Sequence, residues 1–193
     1  MVRRISGLTA VAAFSLSFAS SAFAGLTTYD FSSASGSSTP AVIALATFSS
    51  PADPGAFTFG PNAGLFSDLG SYVLSSNGNV ETLDISFAAP QDSISLDYAI
   101  DDFFASGSAG PDSLTVTTSQ GLSQTETAAL VGSDFFPEGF LTLSSPAQPF
   151  TSVAITSAYA FDIADLTTVP EPASLVLFGA GVAGLLRVRR RRA

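Results

Sequence analysis

Cysteine, histidine and tryptophan are absent from this chain of 193 residues. Without cysteine there is no thiol nucleophile, no iron–sulfur cluster and no disulfide framework. Without histidine there is no imidazole base, no Ser-His-Asp arrangement and no typical zinc or copper site. The 7 basic residues are all arginines, which removes Schiff-base and P-loop lysines, and they sit only at the ends: Arg3, Arg4, Arg187, Arg189, Arg190, Arg191 and Arg192. The stretch 25–172 holds all 16 acidic residues and no basic one, a formal charge of −16. Such a body repels nucleic acid and anionic membrane surfaces, because binding either needs cations that neutralise phosphate. Only carboxylates, hydroxyls and the tyrosines Tyr29, Tyr72, Tyr98 and Tyr159 remain for chemistry.

Hydrophobic residues make up 46% of the chain, enough for one domain core. Residues 1–24 read as a secretory signal peptide. Arg3 and Arg4 form its charged start, residues 5–19 its apolar centre, and Ala22 and Ala24 supply the small residues of a cleavage site. The mature chain is expected to begin at Gly25 and to be exported.

Near the other end, Gly179, Gly181 and Gly184 spell G-x-G-x-x-G. A dinucleotide site needs a strand before these glycines, a helix after them and an acidic residue about 20 positions on. Leu185 and Leu186 alone separate Gly184 from Arg187, and no acidic residue follows, so the spacing carries no nucleotide site. Residues 173–186 read instead as a short hydrophobic helix, with Ser174 its one polar side chain. Arginines behind it and an acidic body before it orient such a helix with its arginines in the cytoplasm. At ~1.5 Å per residue it spans about 21 Å, short of a ~30 Å hydrocarbon core, which suits a temporary anchor.

Val169, Pro170, Glu171 and Pro172 precede that helix. Pro-Glu-Pro, an apolar helix and an arginine cap, in that order, resemble the PEP-CTERM sorting signal of Gram-negative bacteria. The resemblance covers residues 169–193 and leaves the body untouched. It implies processing by an exosortase, an integral membrane enzyme, after signal peptidase has acted. It further implies transient inner-membrane anchoring, delivery to the cell surface, and a setting in the exopolysaccharide or biofilm matrix. Neither proline continues a helix, so Glu171 is expected in an extended, accessible stretch.

Residues 25–168 form the remaining domain. Leu83, Ile85 and Phe87 alternate with polar neighbours, and Ile94, Leu96, Tyr98 and Ile100 repeat the pattern. Period two on either side of the turn signal Ala89-Pro90-Gln91-Asp92 predicts a hairpin with one buried face. Further strands are expected at 26–32, 41–48, 55–60, 71–75, 113–119, 123–131, 140–145 and 151–166, the last as one bent strand or two. About ten short strands without helical periodicity predict an all-β fold: an antiparallel two-sheet β-sandwich of jelly-roll type, plus the C-terminal helix. The phenylalanines are expected to fill its core.

Two acidic groups stand out. Asp101 and Asp102 follow a strand, with Asp112 across a glycine-rich loop, and Asp162 and Asp165 lie near the end of the final strand. Hard cations take several oxygen ligands from loop carboxylates and carbonyls, so these five are the candidate ligands of a structural calcium ion. No loop has the D-x-[DN]-x-[DN]-G spacing, and solvated surface aspartates account for the same residues without a metal. A glycosidase would rest on Asp101 with Asp162 or Asp165, and no motif supports one. With no catalytic or cofactor-binding residue in view, the chain reads as a non-enzymatic, surface-sorted or secreted matrix protein. The alternative is a calcium-stabilised carbohydrate-binding β-sandwich module with polysaccharide as its partner.

Overall fold

The computed structural model describes residues 25–76, 82–101, 112–130 and 136–172. In chain order its strands are β1 (Thr27–Thr28), β2 (Ala41–Ile43), β3 (Ala46–Ser49), β4 (Thr58–Pro61), β5 (Tyr72–Ser75) and β6 (Leu83–Ile100). β7 (Ser113–Thr118), β8 (Ser123–Thr127), β9 (Ala129–Leu130), β10 (Pro137–Ser144), β11 (Phe150–Ser157) and β12 (Phe161–Pro170) follow. Hydrogen bonding joins all 12 into one sheet with the main path β4-β5-β12-β6-β11-β7-β8. Every pairing in it is antiparallel, and the all-β expectation holds. Residues 1–24 and the expected helix at 173–186 lie outside the described residues.

β6 organises the sheet. Its first half pairs with β3 on one edge (Phe48 opposite Ile85) and β11 on the other (Val153 opposite Ile85). Its second half pairs with β10 (Leu141 opposite Leu96) and β12 (Ile163 opposite Tyr98). The expected hairpin at 82–100 is therefore one strand of 18 residues whose pairing register is interrupted between Ser86 and Ser93, where its partners change; this irregular stretch is termed its bend. Pro90 sits in the bend, and proline is tolerated within a sheet where ladder bonding is interrupted. The alternating apolar positions point into one buried cluster that draws on both halves: Leu83 and Ile85 with Ile94, Leu96 and Tyr98. Phe31, Phe48 and Phe59 meet edge to face within it at centroid distances of 5.8, 5.4 and 5.7 Å.

Other strand expectations change, and the one left open at 151–166 is decided. The strand expected at 26–32 shortens to β1, and a 3-10 turn, Phe31–Ala34, follows it. Asp30 caps that turn by accepting the Ser32 amide at 2.9 Å. The strand expected at 41–48 is a tight hairpin, β2 to β3, turning on Ala44 and Leu45, both at positive φ. The run at 151–166 divides into β11 and β12 around residues 158–160.

Candidate functional site

β12 enters the sheet with Phe161 and Ile163 in the core. Ala164 stands opposite Asp97, but Thr167 stands opposite Ser95, so β12 carries one extra residue there. Asp165 takes that place at φ 45°, a β-bulge that turns its side chain outward while Leu166 stays buried. Gly70 lies against the bulge: a Cβ there would come within 2.8 Å of the Asp165 carboxylate.

The bulge brings together carboxylates far apart in sequence. Burial first, then the negative charges of Asp165, Asp68 and Glu138, push the Asp97 carboxyl up to about 6; a hydrogen bond with Asp165 adds to this. Glu138, 4% exposed, accepts the amides of Ser67 at 2.9 Å and Asp68 at 2.7 Å. It ties the loop 62–71 onto β10. Asn62 braces the same loop by donating to the carbonyls of Phe66 and Leu69. Under the loop a second apolar cluster forms from Phe66, Leu69, Val73, Ala99, Phe136 and Ala164.

The aspartates singled out in the sequence are divided among separate places. Asp162 is buried opposite Ser75 and Ala99. Burial raises its carboxyl to about 6, a Ser75 hydrogen bond opposes this, and the charge of Asp101 adds to it. Asp101 thus neighbours Asp162, and its amide donates to the Ala160 carbonyl at 2.8 Å. Asp165 belongs with Asp97 instead. Asp112 precedes β7, where its carbonyl accepts the Ala128 amide at 2.6 Å. Asp102, Ala22 and Ala24 lie outside the described residues. Among the described residues no three His, Cys, Asp or Glu side chains are grouped so that they could hold a metal ion. Asp68, Asp97 and Glu138 were invisible to spacing, because only strand register and a loop that folds back bring them to Asp165.

The sorting motif lies at the end of β12 and is held by the sheet. Val169 pairs with Ser93, and Pro170 with Gln91 across a second irregularity. The Glu171 amide donates to the Pro90 carbonyl at 3.0 Å. Val169, Pro170, Glu171 and Pro172 are all half-buried, so the accessible stretch expected from the prolines is docked on the bend of β6.

Elsewhere the outer faces of the sheet are lined with hydroxyls. Ser95 and Thr142 meet at 3.0 Å, Thr115 and Thr125 at 2.8 Å, and Thr117 and Ser123 at 2.8 Å. An open depression of about 200 Å³ is lined by Asp84, the hydroxyl-bearing Ser86, Thr117, Thr118, Ser119 and Ser152, and two apolar residues of β11.

The fold, with Val169 to Glu171 held by its sheet, defines an all-β chain. Residues 168–192 match the family model of the PEP-CTERM protein-sorting motif, consistent with a PEP-CTERM domain-containing protein. Among solved structures, the K2 cleaved adhesin domain of Lys-gingipain is similar over 75% of this chain and 99% of its own, at 16% identity and a TM-score of 0.47. The K1 cleaved adhesin domain of Lys-gingipain from Porphyromonas gingivalis W83 is similar over 76% and 99%, at 10% identity and a TM-score of 0.47. The CBM22-1-GH10 modules of Clostridium thermocellum xylanase 10B are similar over 77% of this chain and 26% of theirs, at 10% identity and a TM-score of 0.30. No curated relative matches the chain. Among the described residues no helix is long and apolar enough to cross a membrane.

Proposed function

We propose that this chain is a non-enzymatic exported protein whose C-terminal tail an exosortase removes, leaving the β domain at the cell surface in a polysaccharide matrix. One observation carries the reading: the PEP-CTERM match at 168–192 begins in the last strand of a folded domain. The tail is thus an address on a finished cargo. Residues 173–186, apolar and capped by arginines, supply the temporary inner-membrane anchor. The absence of histidine, cysteine and lysine from the whole chain supports a role without catalysis. The intact mass of surface protein from a native host, with and without its exosortase, tests this. Loss of residues 1–24 and of the arginine tail is expected only where the exosortase is present. A surface form that keeps its five C-terminal arginines in the wild-type host would sink the reading.

The strands paired to the first half of β6 and those paired to its second half are, in this reading, the two layers of a sandwich. The larger core cluster, which draws on strands paired to both halves of β6, supports this, as does the approach of β8 to β10 without pairing.

A second reading, a carbohydrate-binding module, is favoured by the depression at Asp84. One carboxylate and five hydroxyl-bearing residues around a concavity match what sugar hydroxyls need as partners. Neutral polysaccharides titrated calorimetrically should bind the wild type and lose about tenfold or more in affinity with Asp84→Ala. No heat with any of them would end this second reading.

A further inference from the structure

We propose that the bend of β6 at residues 88–92 is a seat for the sorting motif, and that the motif must leave it before the sorting enzyme can take it. This rests on the exosortase reading above. The seat is built from named contacts. Gln91, 4% exposed, faces Pro170 on one edge and the buried Phe150 on the other. Its Nε2 donates to the Ala89 carbonyl at 2.8 Å, which fixes the bend. The Pro90 carbonyl then takes the Glu171 amide at 3.0 Å. Just upstream, Thr168 is 1% exposed and its hydroxyl meets that of Tyr29 at 3.2 Å. The strand is therefore zipped to the motif with no linker between them.

An enzyme that takes an extended peptide uses the same backbone groups that a sheet uses. With Glu171 N–H committed to Pro90, only the released fraction of the motif is open to such a cleft, and apparent affinity falls by that fraction. The domain thus slows its own processing.

Pulse-chase of tail removal in a host carrying its exosortase tests the seat. A short Gly-Ser linker inserted between Thr168 and Val169 frees the intact motif and leaves β12 paired through Thr168. The same linker between Pro172 and Ala173 leaves the motif seated. The first should process about three- to tenfold faster than wild type, the size expected for losing one or two hydrogen bonds, and the second should not. Gln91→Ala, which loosens the seat without touching the motif, should move in the first direction; if it fails to fold, the linker pair still decides. Equal or slower processing of the freed motif overturns the proposal alone. So does fast hydrogen exchange at the Glu171 amide of the purified full chain. Absence of any tail removal from the wild type overturns the sorting reading and this proposal together.

Discussion

Ala44 and Leu45 turn the chain from β2 to β3 at φ 46° and 68°. A two-residue turn with both residues at positive φ is the type I′ connection that Asn-Gly fills without strain, and other side chains there cost about 1 kcal/mol each. Leu45 is also 78% exposed, so its side chain contributes little packing. Ala44→Asn combined with Leu45→Gly should raise unfolding free energy by about 1–2 kcal/mol, read as a higher urea midpoint at unchanged slope. A lower midpoint would refute it. Asp97 is the second residue-scale case. Its folded value of about 6 lies above the ordinary 3.8, so folding takes up a proton at this carboxyl. The stability it contributes is complete below about pH 4 and is lost as pH rises through about 6. Asp97→Asn keeps a hydrogen-bonding group beside Asp165 and removes the charge. After allowance for solvent screening it should stabilise the protein by about 1 kcal/mol near neutral pH and by almost nothing near pH 4. Urea melts at the two pH values check this, and an equal gain at both would show that the charge is not the cause.

At the scale of elements, the loop 62–71 depends on a carboxylate that belongs to another strand. Glu138 holds two of its amides, so Glu138→Ala strands them and uncovers Phe66 and Leu69. A loss of about 2–4 kcal/mol is expected, with fast hydrogen exchange at Ser67 and Asp68. Exchange unchanged at those two amides would mean the loop is held by its apolar contacts alone. The strands were legible because Leu83 and Ile85, and again Ile94 and Leu96, alternate with polar neighbours, and a half-buried strand demands period two. The bend at Pro90 was misread as a turn because a proline in a run looks the same in both settings; which one applies depends on partners far away. Ala44 and Leu45 hid a turn because neither residue type advertises positive φ. The acidic group was illegible for a related reason: Asp97 meets Asp165 through a bulge, and one extra residue reverses the side-chain phase without leaving a composition signal.

The whole molecule carries 16 acidic residues between positions 25 and 172 with no internal cation to offset them. Self-repulsion of this kind is screened by salt, since the Debye length falls from about 30 Å at 0.01 M to about 3 Å at 1 M. The melting temperature should therefore rise between these two sodium chloride concentrations, and a fall would mean that repulsion is not a governing term. Stability also depends on the last strand. β12 gives Phe161, Ile163 and Leu166 to the core and lies between β5 and β6 in the sheet. A chain ending at Ala160 should show no cooperative melt and no dispersed amide spectrum. A melt like that of the full chain would show that the remaining strands suffice.

Under the export reading proposed above, that central place for the final strand bears on timing. β6 can complete neither its second half nor the core beneath it until residue 170 has crossed the membrane. After only two more residues, Glu171 and Pro172, the apolar tail begins. Translocation thus delivers the strand that closes the sheet and the segment that halts transfer almost at the same moment. In the proposed reading the domain folds while its tail still tethers it, so the cut that frees it acts on a domain that has already finished folding.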